Sequence, residues 1–184
     1  MSRVLIPLAE GCEELEAVTI IDLLRRAEIE VDVASLDGAA VTASRGVRLG
    51  VDMSLDEALE RDYDMVVLPG GAEGAARLSE DVRIRDLLKR MADAGKYVAA
   101  ICAAPRVLGH AGLLDGRQAT CFPGFLDEFS ERLGGYREDP VVQDGHIITS
   151  RGPGTAMDFA LHLIEQLAGP ERRETVAARL QRAA

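Results

Sequence analysis

The residues of this 184-residue chain best placed for chemistry surround one cysteine. Tyr97-Val98-Ala99-Ala100-Ile101 is a short apolar run that reads as a buried strand, Cys102 follows directly, and Ala103-Ala104-Pro105 reads as a helix start. A thiol on such a turn points out of the sheet toward the first free N–H groups of the helix, whose dipoles favour thiolate over thiol. Ala100, Ala103 and Ala104 leave room around the turn, and Pro105 suits a first helical turn, where no N–H is missed. The same pattern also fits an inert, core-packed thiol, because unpaired cysteine is among the most buried residue types.

Two further stretches belong at the same edge of a sheet. In Glu13-Glu14-Leu15-Glu16, a helical wheel puts Glu16 on one stripe with Ile20, Leu23 and Ala27, whereas Glu14 falls nearer Arg25. A carboxyl turned inward is desolvated, so its pKa rises and it becomes a hydrogen-bond donor. The alternative is that all three acids decorate a helix start, where free N–H groups favour them. Pro69-Gly70-Gly71 follows the apolar Met65–Leu68, and its glycines allow close backbone approach to a ligand. An N–H from this turn and that of Ala103 would form a two-donor anion site, although Gly-Gly after a strand is also an ordinary turn.

The elements that must position these residues alternate. Strands are expected at Arg3–Leu8, Ile29–Ala34, Met65–Leu68, Tyr97–Ile101 and Gln118–Cys121. Ala40–Ala43 with Val47–Val51 reads as one hairpin or excursion, and Val141–Gln143 with Ile147–Thr149, around Asp144-Gly145, as another. Helices are expected at Glu13–Ala27, Ser54–Glu60 with a capping box from Ser54 to Glu57, Ser79–Ala94 and Ala103–Ala111. Three more are expected at Gly124–Leu133, Thr155–Leu167 and Glu171–Ala184. Such alternation predicts an α/β fold, a three-layer αβα sandwich on a mostly parallel sheet, with chemistry at the carboxyl ends of the strands. The length suits one domain spanning residues 1–184.

Composition narrows the function classes. The net charge of −10 and the lack of any basic stripe disfavour direct nucleic-acid binding. Without a long hydrophobic run there is no expected membrane span. Three cysteines, an odd number, and no secretory pattern at the start suggest free thiols in a cytoplasmic protein. No metal-ligand spacing appears, Gly70-Gly71 and Gly74 lack the order of a dinucleotide fingerprint, and no cofactor is expected.

Four stretches then act together. Ala99-Ala100-Ile101-Cys102-Ala103-Ala104-Pro105, Glu13–Val18, Val66-Val67-Leu68-Pro69-Gly70-Gly71, and Thr149-Ser150-Arg151-Gly152-Pro153-Gly154-Thr155 resemble the ThiJ/PfpI superfamily. The match is nearest the branch holding bacterial YajL and Parkinson disease protein 7, and it runs in order from about Val4 to Leu167. The resemblance implies a flavodoxin-like sandwich, usually a homodimer, with Cys102 as nucleophile and Glu16 as the protonated carboxyl bonded to its sulfur. It also implies an anion site from the N–H groups of Gly71 and Ala103. Arg45 matches an arginine at the dimer interface near the partner's active site, and Pro153, Gly70 and Phe122 match the mouth. One departure stands out: many relatives carry histidine where this chain has Phe122, a change that YajL-like members tolerate. The protease-like branch places histidine directly after the nucleophile, where this chain has Ala103. His110, His146 and His162 are not placed by motif near Cys102, so a Cys–His dyad has no obvious base.

The expected chemistry is attack by a low-pKa thiolate on small dicarbonyls such as methylglyoxal and glyoxal, or on their early adducts with proteins or nucleotides, a glyoxalase or deglycase activity. The runner-up is a non-enzymatic oxidative-stress sensor or holdase chaperone that uses Cys102 oxidation. Peptidase or amidase activity ranks last, for want of a histidine to protonate an amine leaving group. Cys12 and Cys121 fall at the same side of the sheet as Cys102, as candidates for a resolving thiol.

Overall fold

The computed structural model describes residues 2–182. In chain order the elements are β1 (Arg3–Leu8), α1 (Glu14–Arg26), β2 (Glu30–Ser35), β3 (Val41–Thr42), β4 (Arg48–Leu49), β5 (Met53–Ser54), α2 (Leu55–Leu59) and β6 (Met65–Leu68). Then come α3 (Ala72–Glu80), α4 (Val82–Asp93), β7 (Tyr97–Ile101), α5 (Pro105–His110), β8 (Gln118–Ala119) and β9 (Gly135–Tyr136). The chain closes with β10 (Val141–Asp144), β11 (Ile147–Ser150), α6 (Ala156–Ala168) and α7 (Pro170–Arg179).

Seven strands form the main sheet in the order β10-β11-β7-β6-β1-β2-β5, and only the β10–β11 pair is antiparallel. Helices α1, α6 and α7 pack together, as do α3, α4 and α5, and the two groups enclose the sheet. This is the expected flavodoxin-like sandwich. Strands covered on both faces carry apolar residues throughout: Met65 to Leu68 in β6 and Val98 to Ile101 in β7 are all fully buried. In α1 the stripe of Glu16, Ile20 and Leu23 faces this core as the wheel predicts, with acids in the first turn and Arg25 and Arg26 in the last. The Ser54 capping box is present, with Ser54 Oγ accepting from Glu57 N and Glu57 Oε2 accepting from Ser54 N.

Four expectations need correction. The helix expected over Ser79–Ala94 is two helices, broken at Asp81, whose extended backbone (ψ 115°) lets its carboxylate cap Arg83 N. The first of them, α3, begins at Ala72, directly after the Pro69-Gly70-Gly71 turn and seven residues before the expected start. No α-helix spans Gly124–Leu133; Gly124 takes φ +94° and only a 3₁₀ turn forms at Asp127–Phe129. There Phe125 N donates to Phe122 O (3.2 Å) and Phe129 N to Leu126 O (3.0 Å), the short-range bonds of successive turns rather than of an α-helix. The strand at Gln118–Cys121 shrinks to β8, which pairs with β9 in a separate two-stranded sheet. Finally, α7 ends at Arg179, and the last part of the expected helix, Ala183-Ala184, lies outside the described residues.

Among the described residues no helix is long and apolar enough to cross a membrane. The core depends on its largest members: Phe159 of α6 is completely buried. Phe159→Ala should cost about 3–5 kcal/mol through lost burial and a residual cavity, readable as a lowered urea midpoint.

Candidate active site

Cys102 sits on an elbow that the backbone holds from both sides. Its φ of +64° lies in the left-handed region that side chains other than glycine rarely occupy. Its N–H donates to Ser150 O of β11 (3.0 Å), and its carbonyl accepts from Phe122 N (2.9 Å). These two bonds hold a conformation that on its own costs about 1–3 kcal/mol. Residues Cys102 to Ala104 form turns, and α5 starts only at Pro105.

Glu16 comes from the first turn of α1 and is fully buried. Its Oε2 accepts from Gly70 N at 2.8 Å, and the carboxyl lies within hydrogen-bonding range of the Cys102 thiol. Oε1 has no partner of full hydrogen-bond geometry. Burial therefore dominates and pushes Glu16 up to about 7, against an ordinary value of 4.5, with the Gly70 N–H and the thiol pulling the other way.

The Gly70-Gly71 turn closes the site, and both positions require glycine. A Cβ on Gly70 would stand 2.6 Å from Cys102 Cβ and 2.7 Å from Glu16 Oε2. Gly71 has φ +87°, and a Cβ there would meet Gly11 O at 2.3 Å. Glu13 N donates to Gly70 O (2.9 Å), which ties the turn to the loop after β1. From this turn the Gly71 N–H reaches the Cys102 sulfur, as does the N–H of Ala103.

The low-pKa thiol expected from the sequence is not what this geometry produces. Burial, followed by the neighbouring Glu16 charge, pushes Cys102 up to about 12, and the two N–H donors only partly offset this. A helix of six residues that begins three positions beyond the sulfur supplies little dipole to counter desolvation. The two groups titrate as a pair: burial raises both, and a negative charge on either opposes a negative charge on the other. What the site holds is a buried thiol beside a buried carboxyl, with backbone N–H groups facing the sulfur.

In front of Cys102 opens a cavity of about 370 Å³. Arg45, Phe122, Pro153, Gly71 and Ala103 line it with Cys102. Gly70 does not line it; it is wedged behind the sulfur, against Glu16. Sequence reasoning missed Glu13, Ser44, Glu73 and Phe125 as lining residues. Phe125 could have been found: it and Phe122 are two of the four phenylalanines in the chain, flanking Pro123-Gly124. The histidines are engaged elsewhere. His110 bonds Ser79 Oγ (2.7 Å), His146 stacks on Tyr97, and His162 bonds Gln143 Oε1 (2.6 Å). Cys12 and Cys121 are buried free thiols that do not line the cavity. Among the described residues no group of three or more His, Cys, Asp or Glu is placed to hold a metal ion.

Two measurements check this electrostatic account. A folded carboxyl at about 7 keeps a proton that the unfolded chain releases near 4.5, so its contribution to stability is complete below about 4.5 and is lost as pH rises through about 7. Urea unfolding at pH 5 and pH 8 should show the native chain losing up to about 3 kcal/mol relative to Glu16→Gln across that interval. An equal difference at both pH values would mean that Glu16 does not titrate there. Alkylation of Cys102 should accelerate as pH rises through about 7, with the step absent in Glu16→Gln.

The profile of the DJ-1/PfpI family matches residues 2–166. Protein dj-1beta of Drosophila melanogaster is 43% identical over 174 residues, 94% of this chain and 93% of that protein. Glutathione-independent glyoxalase DJR-1.2 of Caenorhabditis elegans is 36% identical over 169 residues, 91% of this chain and 89% of the relative. Against Protein DJ-1 homolog B of Arabidopsis thaliana, at 43% identity, the chain spans only 39% of the relative's length. The crystal structure of Drosophila melanogaster DJ-1beta superimposes with a TM-score of 0.92 at 43% identity, and oxidized Toxoplasma gondii DJ-1 with 0.94 at 41%, each covering both chains completely. With its fold, its cysteine elbow and these likenesses, the chain belongs to the DJ-1/PfpI family.

Proposed function

We propose that this protein is a cysteine-dependent glyoxalase or deglycase, acting on methylglyoxal, glyoxal or their early adducts with proteins or nucleotides. The observation that carries the reading is the buried Glu16 carboxyl, set at about 7 beside the Cys102 thiol with two backbone N–H groups at the sulfur. A homologue named as a glutathione-independent glyoxalase adds support.

The steps follow from these parts. Ionised Glu16 takes the thiol proton as sulfur attacks the aldehyde carbon, forming a C–S bond and opening the C=O π bond. The N–H groups of Gly71 and Ala103 are placed to receive the resulting oxyanion. The proton returns to that oxygen to complete the hemithioacetal. Glu16 next removes the hydrogen on the former aldehyde carbon as a proton and passes it to the keto oxygen, giving an enediol; the first hydroxyl then loses its proton to Glu16, which delivers it to the second carbon. The first carbon is thereby oxidised to a thioester and the second reduced to an alcohol. Water then cleaves the C–S bond, releasing the 2-hydroxy acid and the thiol. One water is consumed, and neither an external oxidant nor a cofactor is required.

The reading includes a homodimer. Leu15 and Val18 on α1 and Val47 beside β4 are about half exposed, and Arg45, two residues before Val47, lines the cavity. This apolar patch would place a second copy at the mouth. Three free thiols suit a reducing compartment such as the cytoplasm. Oxidation sensing is the competing role, because the same N–H pair would hold the oxygens of a sulfinate, and the Toxoplasma gondii relative was solved in an oxidized form.

Purified protein should convert methylglyoxal to lactate without glutathione. Cys102→Ser should lower the rate about 10³-fold or more, and Glu16→Gln roughly 10²-fold or more. No turnover, together with a gain of two oxygens confined to Cys102 under mild peroxide in the intact mass, would replace this reading with the sensor.

A further inference from the structure

One wall of the cavity differs in character from the rest. Phe122 and Phe125 meet edge to face, with centroids 6.2 Å apart and planes at 76°. Phe122 is 46% exposed although it is a large apolar ring, and Pro153 extends the same apolar surface. Glu13, Ser44 and Arg45 line other parts of the cavity and are polar.

This wall is fixed relative to the sulfur. Phe122 N donates to the carbonyl of Cys102 at 2.9 Å, and Cys121 Sγ donates to Phe122 O, also at 2.9 Å. Phe125 N donates to Phe122 O at 3.2 Å, which ties the second ring's backbone to the first. On the far side the ring rests on Gly152, where a Cβ would stand 3.4 Å from Phe122 Cδ2. The rings are thus preorganised by backbone bonds to the elbow, which limits the ordering cost of closing on a ligand.

Size agrees with this. Cavities of roughly 300–1,000 Å³ hold ligands of drug size, and this one measures about 370 Å³. Methylglyoxal has three carbons and would leave most of it empty. With its aldehyde carbon on Cys102 and its oxygen at Gly71 and Ala103, a 2-oxoaldehyde must extend its substituent from the elbow into the cavity that the rings bound.

We infer that Phe122 and Phe125 make the site selective for 2-oxoaldehydes bearing an aryl substituent, over methyl- or hydrogen-substituted ones. This rests on Cys102 being the nucleophile toward 2-oxoaldehydes, as proposed above. The rings act as specificity residues: they touch the substituent and take no part in proton transfer.

The test has two arms. In turnover, kcat/KM for phenylglyoxal (to mandelate) should exceed that for methylglyoxal by roughly tenfold or more, and the ratio should fall at least threefold in Phe122→Ala and approach unity in the Phe122→Ala/Phe125→Ala double variant. In the second arm, which needs no turnover, Cys102 alkylation by phenacyl bromide is compared with bromoacetone by intact mass, each rate normalised to its reaction with free cysteine. The same preference and the same losses are expected. A normalised alkylation ratio near one in the native chain, or one unchanged by Phe122→Ala, overturns the inference even if methylglyoxal is consumed. Alkylation selectivity without any turnover overturns the glyoxalase reading and leaves the aryl wall standing. Because Phe122 is half exposed, its single variant keeps the test valid if the double variant fails to fold.

Discussion

A carboxyl and a thiol, both taken out of water and placed side by side, are the constraint around which the rest of the site is arranged. Neither can ionise cheaply there, and a negative charge on one opposes a negative charge on the other. Gly70 supplies the one firm hydrogen bond that Glu16 receives, and its missing side chain lets the two groups meet. The left-handed elbow then aims the sulfur at them, and β11 and Phe122 hold the elbow in place.

Competition between solvent exclusion and backbone donors decides the character of the sulfur. Two N–H groups reach it, an arrangement that in a wetter site would make a thiolate. In this burial desolvation outweighs them, and the thiol is raised rather than lowered. The same burial raises Glu16 to about 7, against the pull of the Gly70 N–H.

Much of this was legible in the sequence, for identifiable reasons. Glu16 could be singled out because a helix imposes a strict angular period, and an acid on the apolar stripe has few innocent explanations. The elbow was visible because an apolar strand, a cysteine and a proline in that order leave little freedom, and the parallel sheet followed from alternating elements. Three-dimensional balances were harder to read. The thiol's shift depends on how much water is removed and how close a carboxylate lies, and neither quantity has a periodicity. The segment after Cys121 turns where Gly124 takes a left-handed backbone, a local choice that the apolar residues around it do not announce. The break at Asp81 depends on a side chain capping the helix behind it.

The elbow's bond to Ser150 also bears on how the protein is made. Glu16, Gly70 and Cys102 leave the ribosome long before the strand that receives the Cys102 amide, because β11 ends at Ser150. Until that strand docks beside β7, nothing on that side holds the left-handed backbone, and the cysteine of a nascent chain is an ordinary flexible thiol. Translation therefore keeps this centre unassembled until the chain has been synthesised past Ser150.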